Sequence, residues 1–103
     1  MIDSRWGWFV MACLGTGAAS AQPAADREGR TLAASCARCH GQDGRAVAGE
    51  LMPRLAGLPQ EYLVAQMQAF KSGTRQATVM HQIAKGYSER QIEAMSAWFS
   101  TRK

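Results

Sequence analysis

The sequence predicts an all-α fold, and three observations on it carry that prediction. Apolar residues recur at helical spacings of three and four, as in Ile92, Met95, Trp98 and Phe99. The periodic stretches are bracketed by helix start and stop signals, with proline or a small polar residue before them and glycine after them. No run alternates apolar and polar side chains for long enough to read as a strand.

At 103 residues the chain holds one domain at most, and its amino terminus reads as a leader rather than as part of that domain. Arg5 follows a short n-region, WGWFVMACLGTGAA is uncharged and largely apolar, and Ala19, Ser20 and Ala21 form the small-x-small pattern of a signal-peptidase site. The apolar run is shorter than the ~20 residues a membrane span needs, and Gly15 and Gly17 dilute it. Residues 1–21 are therefore expected to be a signal peptide and residues 22–103 the mature domain, exported to the periplasm without a stable membrane span. Cys13 lies in the leader, where its surroundings fit a lipid-attachment box poorly.

In the mature region, Asp26 is placed to cap a helix through REGRTLAASCARC, in which Leu32, Cys36 and Cys39 share a face. Gly41 and Gly44 suit a chain that stops near His40 and turns. From Gly41 to Leu58 no period is sustained, which predicts an ordered loop wrapped over something, since so long a loop in so small a domain needs a body to wrap. LPQEYLVAQMQAFKSG reads as the next helix, with Pro59 in its first turn, Gly73 beyond its end, and Tyr62, Leu63, Gln66, Met67 and Phe70 on one stripe. ATVMHQIAKG supplies one or two turns closed by Gly86. Ser88 and Gln91 then form a capping box that opens a final helix to about Thr101, whose inner face is Ile92, Met95, Trp98 and Phe99.

Twelve Lys and Arg face eight Asp and Glu, and the basic residues are scattered singly. That pattern fits a solvated surface with mild steering towards an acidic partner, and it lacks the basic stripe with interleaved aromatics that nucleic acid would require. Arg38, Arg54, Arg75 and Lys85 are candidate rim charges, with plain solvation as the competing reading.

The chemistry concentrates in SCARCHGQDG, residues 35–44. Cys-x-x-Cys-His is the attachment signature of a c-type haem. A zinc site needs three or four converging ligands, and beyond Cys36, Cys39 and His40 the chain offers only His81 as a further histidine. A thioredoxin-like dithiol would follow a strand, and none precedes this motif. On one helical turn Cys36 and Cys39 can form thioethers to one edge of a single haem c while His40 binds the iron. A covalently held macrocycle would also supply core to a domain that is small for an unaided one. The histidine should donate its other ring N–H to a carbonyl, for which Pro53 in MPRLAG is the candidate, because proline stiffens the chain and keeps its C=O.

For the sixth ligand the soft candidates are Met52, Met67, Met80 and Met95, with His81 as the nitrogen alternative. Met67 and Met95 sit on apolar helix stripes and read as core, and Met52 lies close to His40 in the loop on the proximal side. Met80 is favoured, in a short segment between Gly73 and Gly86 that can come round to the opposite face. With both axial positions filled the expected role is one-electron transfer; the alternative is a ligand-binding or peroxidatic haem protein with a labile distal site. No other catalytic constellation is legible.

CARCHG, MPRLAG, YLVAQMQAFKSGTR and ATVMHQIAKGYSERQIEAMSAWF together resemble a class I cytochrome c, most of all the haem domains of the cytochrome subunit of flavocytochrome c sulfide dehydrogenase and of related diheme cytochromes. The likeness runs from Gly29 to Phe99. It implies a fold of about four helices and long loops around a covalent haem, with the first and last helices crossing near Gly29 and Trp98. It further implies that the Pro53 carbonyl holds His40 and that Met80 is the distal ligand. The partners it implies are redox proteins: a flavoprotein dehydrogenase subunit on one side, a terminal oxidase or another cytochrome on the other.

Overall fold

In the computed structural model the described residues are Gly17, Ala18 and residues 23–103. The expected signal peptide, including Cys13 and the Ala19–Ser20–Ala21 site, lies outside them apart from Gly17 and Ala18. Among the described residues every regular element is helical. Helix α1 (Ala24–Ala33) passes through a 3-10 turn (Ala34–Cys36) into the single turn of α2 (Ala37–His40), and then come α3 (Gln60–Ser72), α4 (Met80–Lys85) and α5 (Glu89–Ser100). Four helical stretches and long connections are thus present, as the sequence predicts.

Two helix starts differ from expectation in the same way. Asp26 is not the cap of α1: that position belongs to Pro23, with φ −50° and ψ 141°, and Asp26 lies in the first turn, where its charge still favours the helix dipole. Pro59 likewise flanks α3, with φ −56° and ψ 139°, rather than forming part of it. In both cases the ring fixes a helix-compatible φ while the extended ψ leaves the residue outside the helix. The break between α1 and α2 also has a local cause. Ser35 Oγ donates to the Leu32 carbonyl at 3.0 Å, so a side chain competes for a backbone acceptor where the helix tightens.

The remaining ends follow the pattern legible in the sequence. Gly41 leaves α2 with φ +85° and Gly73 closes α3 in the left-handed region at φ +82°, a conformation that favours glycine. At the start of α5, Ser88 Oγ accepts from the Gln91 N–H at 3.2 Å while Gln91 Oε1 accepts from the Ser88 N–H at 2.9 Å. That reciprocal box orients the helix so that Ile92, Met95, Ser96, Trp98 and Phe99 are buried.

The core sits where α5 meets the other elements. Ala33, Leu63, Trp98 and Phe99 form a buried cluster, with Cys36, Leu55 and Leu58 packed against it. Trp98 and Phe99 pack edge to face with ring centroids 5.4 Å apart. Helix α1 can reach α5 only because Gly29 has no side chain: a Cβ there would stand 2.6 Å from the Ala94 carbonyl oxygen and 2.9 Å from Trp98 Cβ. The loop after α2 is tied down twice. The Gly44 carbonyl accepts from the N–H groups of Leu55 and Ala56 at 2.8 and 3.0 Å, and Gly57 N–H donates to the Phe99 carbonyl at 3.0 Å.

Candidate functional site

The motif occupies the end of the first helical stretch. Cys36 closes the 3-10 turn, half-buried, and Cys39 is exposed on α2; the two thiols are free rather than joined. Burial pushes the Cys36 thiol up from its ordinary value, the hydrogen bond with Ser35 pulls the other way, and the nearby Cys39 adds a smaller upward push. His40 ends α2 and is buried, 8% exposed.

A buried imidazole needs partners for both ring nitrogens. Nδ1 of His40 lies 2.8 Å from the Pro53 carbonyl oxygen. A carbonyl can only accept, so Nδ1 carries the proton and Nε2 keeps its lone pair for a metal. The backbone brings these two residues together across the loop: Gly41 turns the chain, the Ala46 N–H donates to the His40 carbonyl at 2.8 Å, and Gly44 anchors Leu55 and Ala56 just after Pro53. Arg54 Nε donates to the Ala56 carbonyl at 3.1 Å and holds the same bend.

Met80 opens α4, half-buried, and α4 packs chiefly on α3. The other sulfur candidates fall elsewhere: Met95 is buried on α5, Met67 is half-buried on α3, and Met52 is 42% exposed in the loop. His81 follows Met80 on α4, and its Nδ1 is buried without a hydrogen-bond partner among the described residues. Of the candidate rim charges, Arg75 is engaged with protein, lying 4.6 Å over the Phe70 ring and donating to Gln66, while Arg38 and Lys85 are exposed.

These residues fit a covalently attached haem. Two free thiols three residues apart on one helical stretch directly precede an imidazole that is oriented by the Pro53 carbonyl and whose Nε2 is available. Among the described residues no group of three or more His, Cys, Asp or Glu converges as a bare metal site would require. Leu51, Met52, Val79 and Ile83 present apolar side chains at the protein surface.

Two neighbours of the motif were not legible in the sequence. Tyr87 Oη lies 2.9 Å from Ser35 Oγ, linking the end of α4 to the residue before Cys36. Lys71 Nζ donates to the Tyr87 carbonyl at 2.6 Å and lies 3.5 Å from Glu89 Oε1. No periodicity or motif points to either contact.

Comparison with known proteins agrees with the geometry. Residues 27–103 match the cytochrome c family pattern. The chain is 36% identical over 78 residues to the cytochrome subunit of sulfide dehydrogenase of Chlorobaculum tepidum, an alignment covering 76% of this chain and 69% of the relative. It is 42% identical over 71 residues to the thiosulfate dehydrogenase electron acceptor of Thiomonas intermedia, covering 69% of this chain but only 33% of that protein. Among solved structures, cytochrome c4 of Acidithiobacillus ferrooxidans superposes with a TM-score of 0.69 at 32% identity, over 78% of this chain and 51% of the other. The chain thus spans about a third of one of these relatives and about half of another. A helical fold that aligns so far along its length and carries a Cys-x-x-Cys-His turn with an oriented histidine belongs to the cytochrome c family of haem-based electron-transfer proteins.

Proposed function

We propose that the protein is a periplasmic one-electron carrier in which a single haem c is held by Cys36 and Cys39, with His40 and Met80 as axial ligands. It acts as a shuttle or as the cytochrome subunit of a flavoprotein dehydrogenase of the sulfide-oxidising kind. The observation that carries the reading is the 2.8 Å bond from His40 Nδ1 to the Pro53 carbonyl, which frees Nε2 for iron and fixes the ring plane. The relatives' roles as a sulfide dehydrogenase subunit and a thiosulfate dehydrogenase electron acceptor support the partner class.

Bound in this way, the haem supplies reversible one-electron chemistry. The protein residues do the rest. Cys36 on the 3-10 turn and Cys39 on α2 would anchor the cofactor covalently, so that it would not dissociate with a change of oxidation state. Pro53 prevents rotation of the His40 imidazole, and the Ala33, Leu63, Trp98 and Phe99 cluster behind Cys36 keeps water from that side. A thioether from Met80 holds the reduction potential comparatively high. The surface charge is low, +4 over the whole sequence, so docking depends on local contacts with weak steering.

The test is Met80→Ala in the haem-loaded protein. The expected result is a covalently retained haem that loses its low-spin spectrum and thioether-to-iron band and binds carbon monoxide rapidly when reduced. An unaltered band would remove Met80 from the site. A resting parent protein that is already high-spin and binds peroxide at once would favour the ligand-binding reading.

A further inference from the structure

The segment carrying Met80 is short and is held from outside itself. Helix α4 has six residues and its flanking residue Val79 provides no side-chain cap, so α4 has little stability of its own. On the upstream side the last fastening is at Arg75, whose N–H donates to the Ala69 carbonyl at 3.1 Å and whose guanidinium lies over Phe70. Residues 76–78 make no hydrogen bond with other described residues.

On the downstream side the fastenings converge on Tyr87. Its N–H donates to the Ala84 carbonyl at 3.2 Å, tying it to α4, and its carbonyl accepts from Lys71 Nζ on α3 at 2.6 Å. Its hydroxyl meets Ser35 Oγ at 2.9 Å, on the residue before Cys36. Either hydroxyl can donate in that last contact, and Ser35 Oγ also lies 3.0 Å from the Leu32 carbonyl oxygen.

We propose that Tyr87 is a positioning residue for the distal ligand: by clasping Ser35 beside the attachment motif and Lys71 on α3, it fixes the end of α4 and thereby sets how readily Met80 leaves the iron. The inference rests on the reading of Met80 as that ligand. Opening of the distal site requires α4 to move relative to the motif helix, and the Ser35–Tyr87 bond joins those two elements across 52 positions of sequence. Breaking the clasp raises the population of the open state, and breaking it at Tyr87 does so without touching Cys36, Cys39 or His40.

The experiment measures how fast imidazole displaces the thioether in the ferric, haem-loaded protein, followed by loss of the thioether-to-iron band. Tyr87→Phe and Ser35→Ala should each speed displacement about two- to fivefold, the factor expected for one partly solvated hydrogen bond. Because both remove the same bond, the double variant should be no faster than the faster single one. Ser35→Thr, which keeps the hydroxyl, should exchange at the parent rate. If Tyr87→Phe and Ser35→Ala both exchange at the parent rate while only their melting temperatures fall, Tyr87 is merely structural and the proposal is wrong. Should Tyr87→Phe not accumulate as a folded protein, Ser35→Ala and Ser35→Thr decide the matter alone. Met80→Ala separates the two inferences: a retained band sinks the ligand assignment, whereas a lost band with unaltered exchange in the clasp variants sinks only the clasp.

Discussion

His40 Nδ1 and the Pro53 carbonyl, 2.8 Å apart, join a helix end to the middle of a loop and make the ring orientation of the one a property of the backbone of the other. Replacing Pro53 with alanine keeps that carbonyl but frees φ in the unfolded chain. Pro53→Ala should retain the haem and cost about 0.4–1 kcal/mol, the usual worth of a compatible proline. Thermal unfolding of the haem-loaded protein checks this, and an unchanged melting temperature would show that the loop is fixed without it.

The α1–α5 crossing makes a stronger demand. Gly29→Ala puts a methyl group 2.6 Å from the Ala94 carbonyl oxygen, a backbone atom that can yield only if the helices separate. A loss of about 1–3 kcal/mol, as for other overpacked sites, is expected in chemical denaturation. A variant as stable as the parent would mean that the crossing is looser than its distances indicate.

At the other end of α5, Ser88→Ala removes the acceptor for the Gln91 N–H. The cap is worth about 1 kcal/mol. For a domain of this size that corresponds to a melting temperature lower by roughly 4–8 °C. Ser88→Asp, which still caps, should melt close to the parent.

Glu89 gives a pH dependence of known sign. Its carboxyl is held below the usual carboxylate value chiefly by the Gln68 side-chain hydrogen bond; desolvation opposes this, and the Lys71 ammonium adds smaller downward pulls. A group with a depressed folded pKa binds fewer protons folded than unfolded, so its contribution is present above the ordinary carboxylate pKa and lost as pH falls through the depressed value. Glu89→Gln should therefore flatten the fall in melting temperature at acid pH, and added salt should shrink the difference because the side chain is exposed. An identical acid limb in both proteins would count against the Gln68 and Lys71 contacts.

The leader is tested by mass. Protein exported and matured with haem should begin at Gln22, and a product retaining Cys13 would contradict the proposed cleavage at Ala21.

Legibility followed locality. The capping box of α5, its buried face, the loop after Gly41 and the helix that ends at Gly73 are all written in neighbouring residues, and the structure has each of them. The cap of α1 lies three residues upstream of Asp26, and α3 starts one residue after Pro59, because Pro23 and Pro59 set the entry angle. Gly44 reads as a turn residue, yet a Cβ there would also meet the Phe99 ring at 2.9 Å, a contact that only the folded chain reveals. The Ser35–Tyr87 pair was invisible for the same reason, since two hydroxyl residues far apart carry no spacing that predicts their meeting.

Because α1 is buried by α5 and the loop hangs from Phe99, the amino-terminal half has little to fold against until the last helix exists. A polypeptide emerging amino terminus first therefore presents Cys36, Cys39 and His40 on an open segment well before Ala94 and Trp98 arrive to close over Gly29. The architecture thus leaves an interval in which both thiols lie on an open segment of chain. Arrival of α5 narrows access at Cys36, against which the cluster with Trp98 and Phe99 packs, while Cys39 stays exposed.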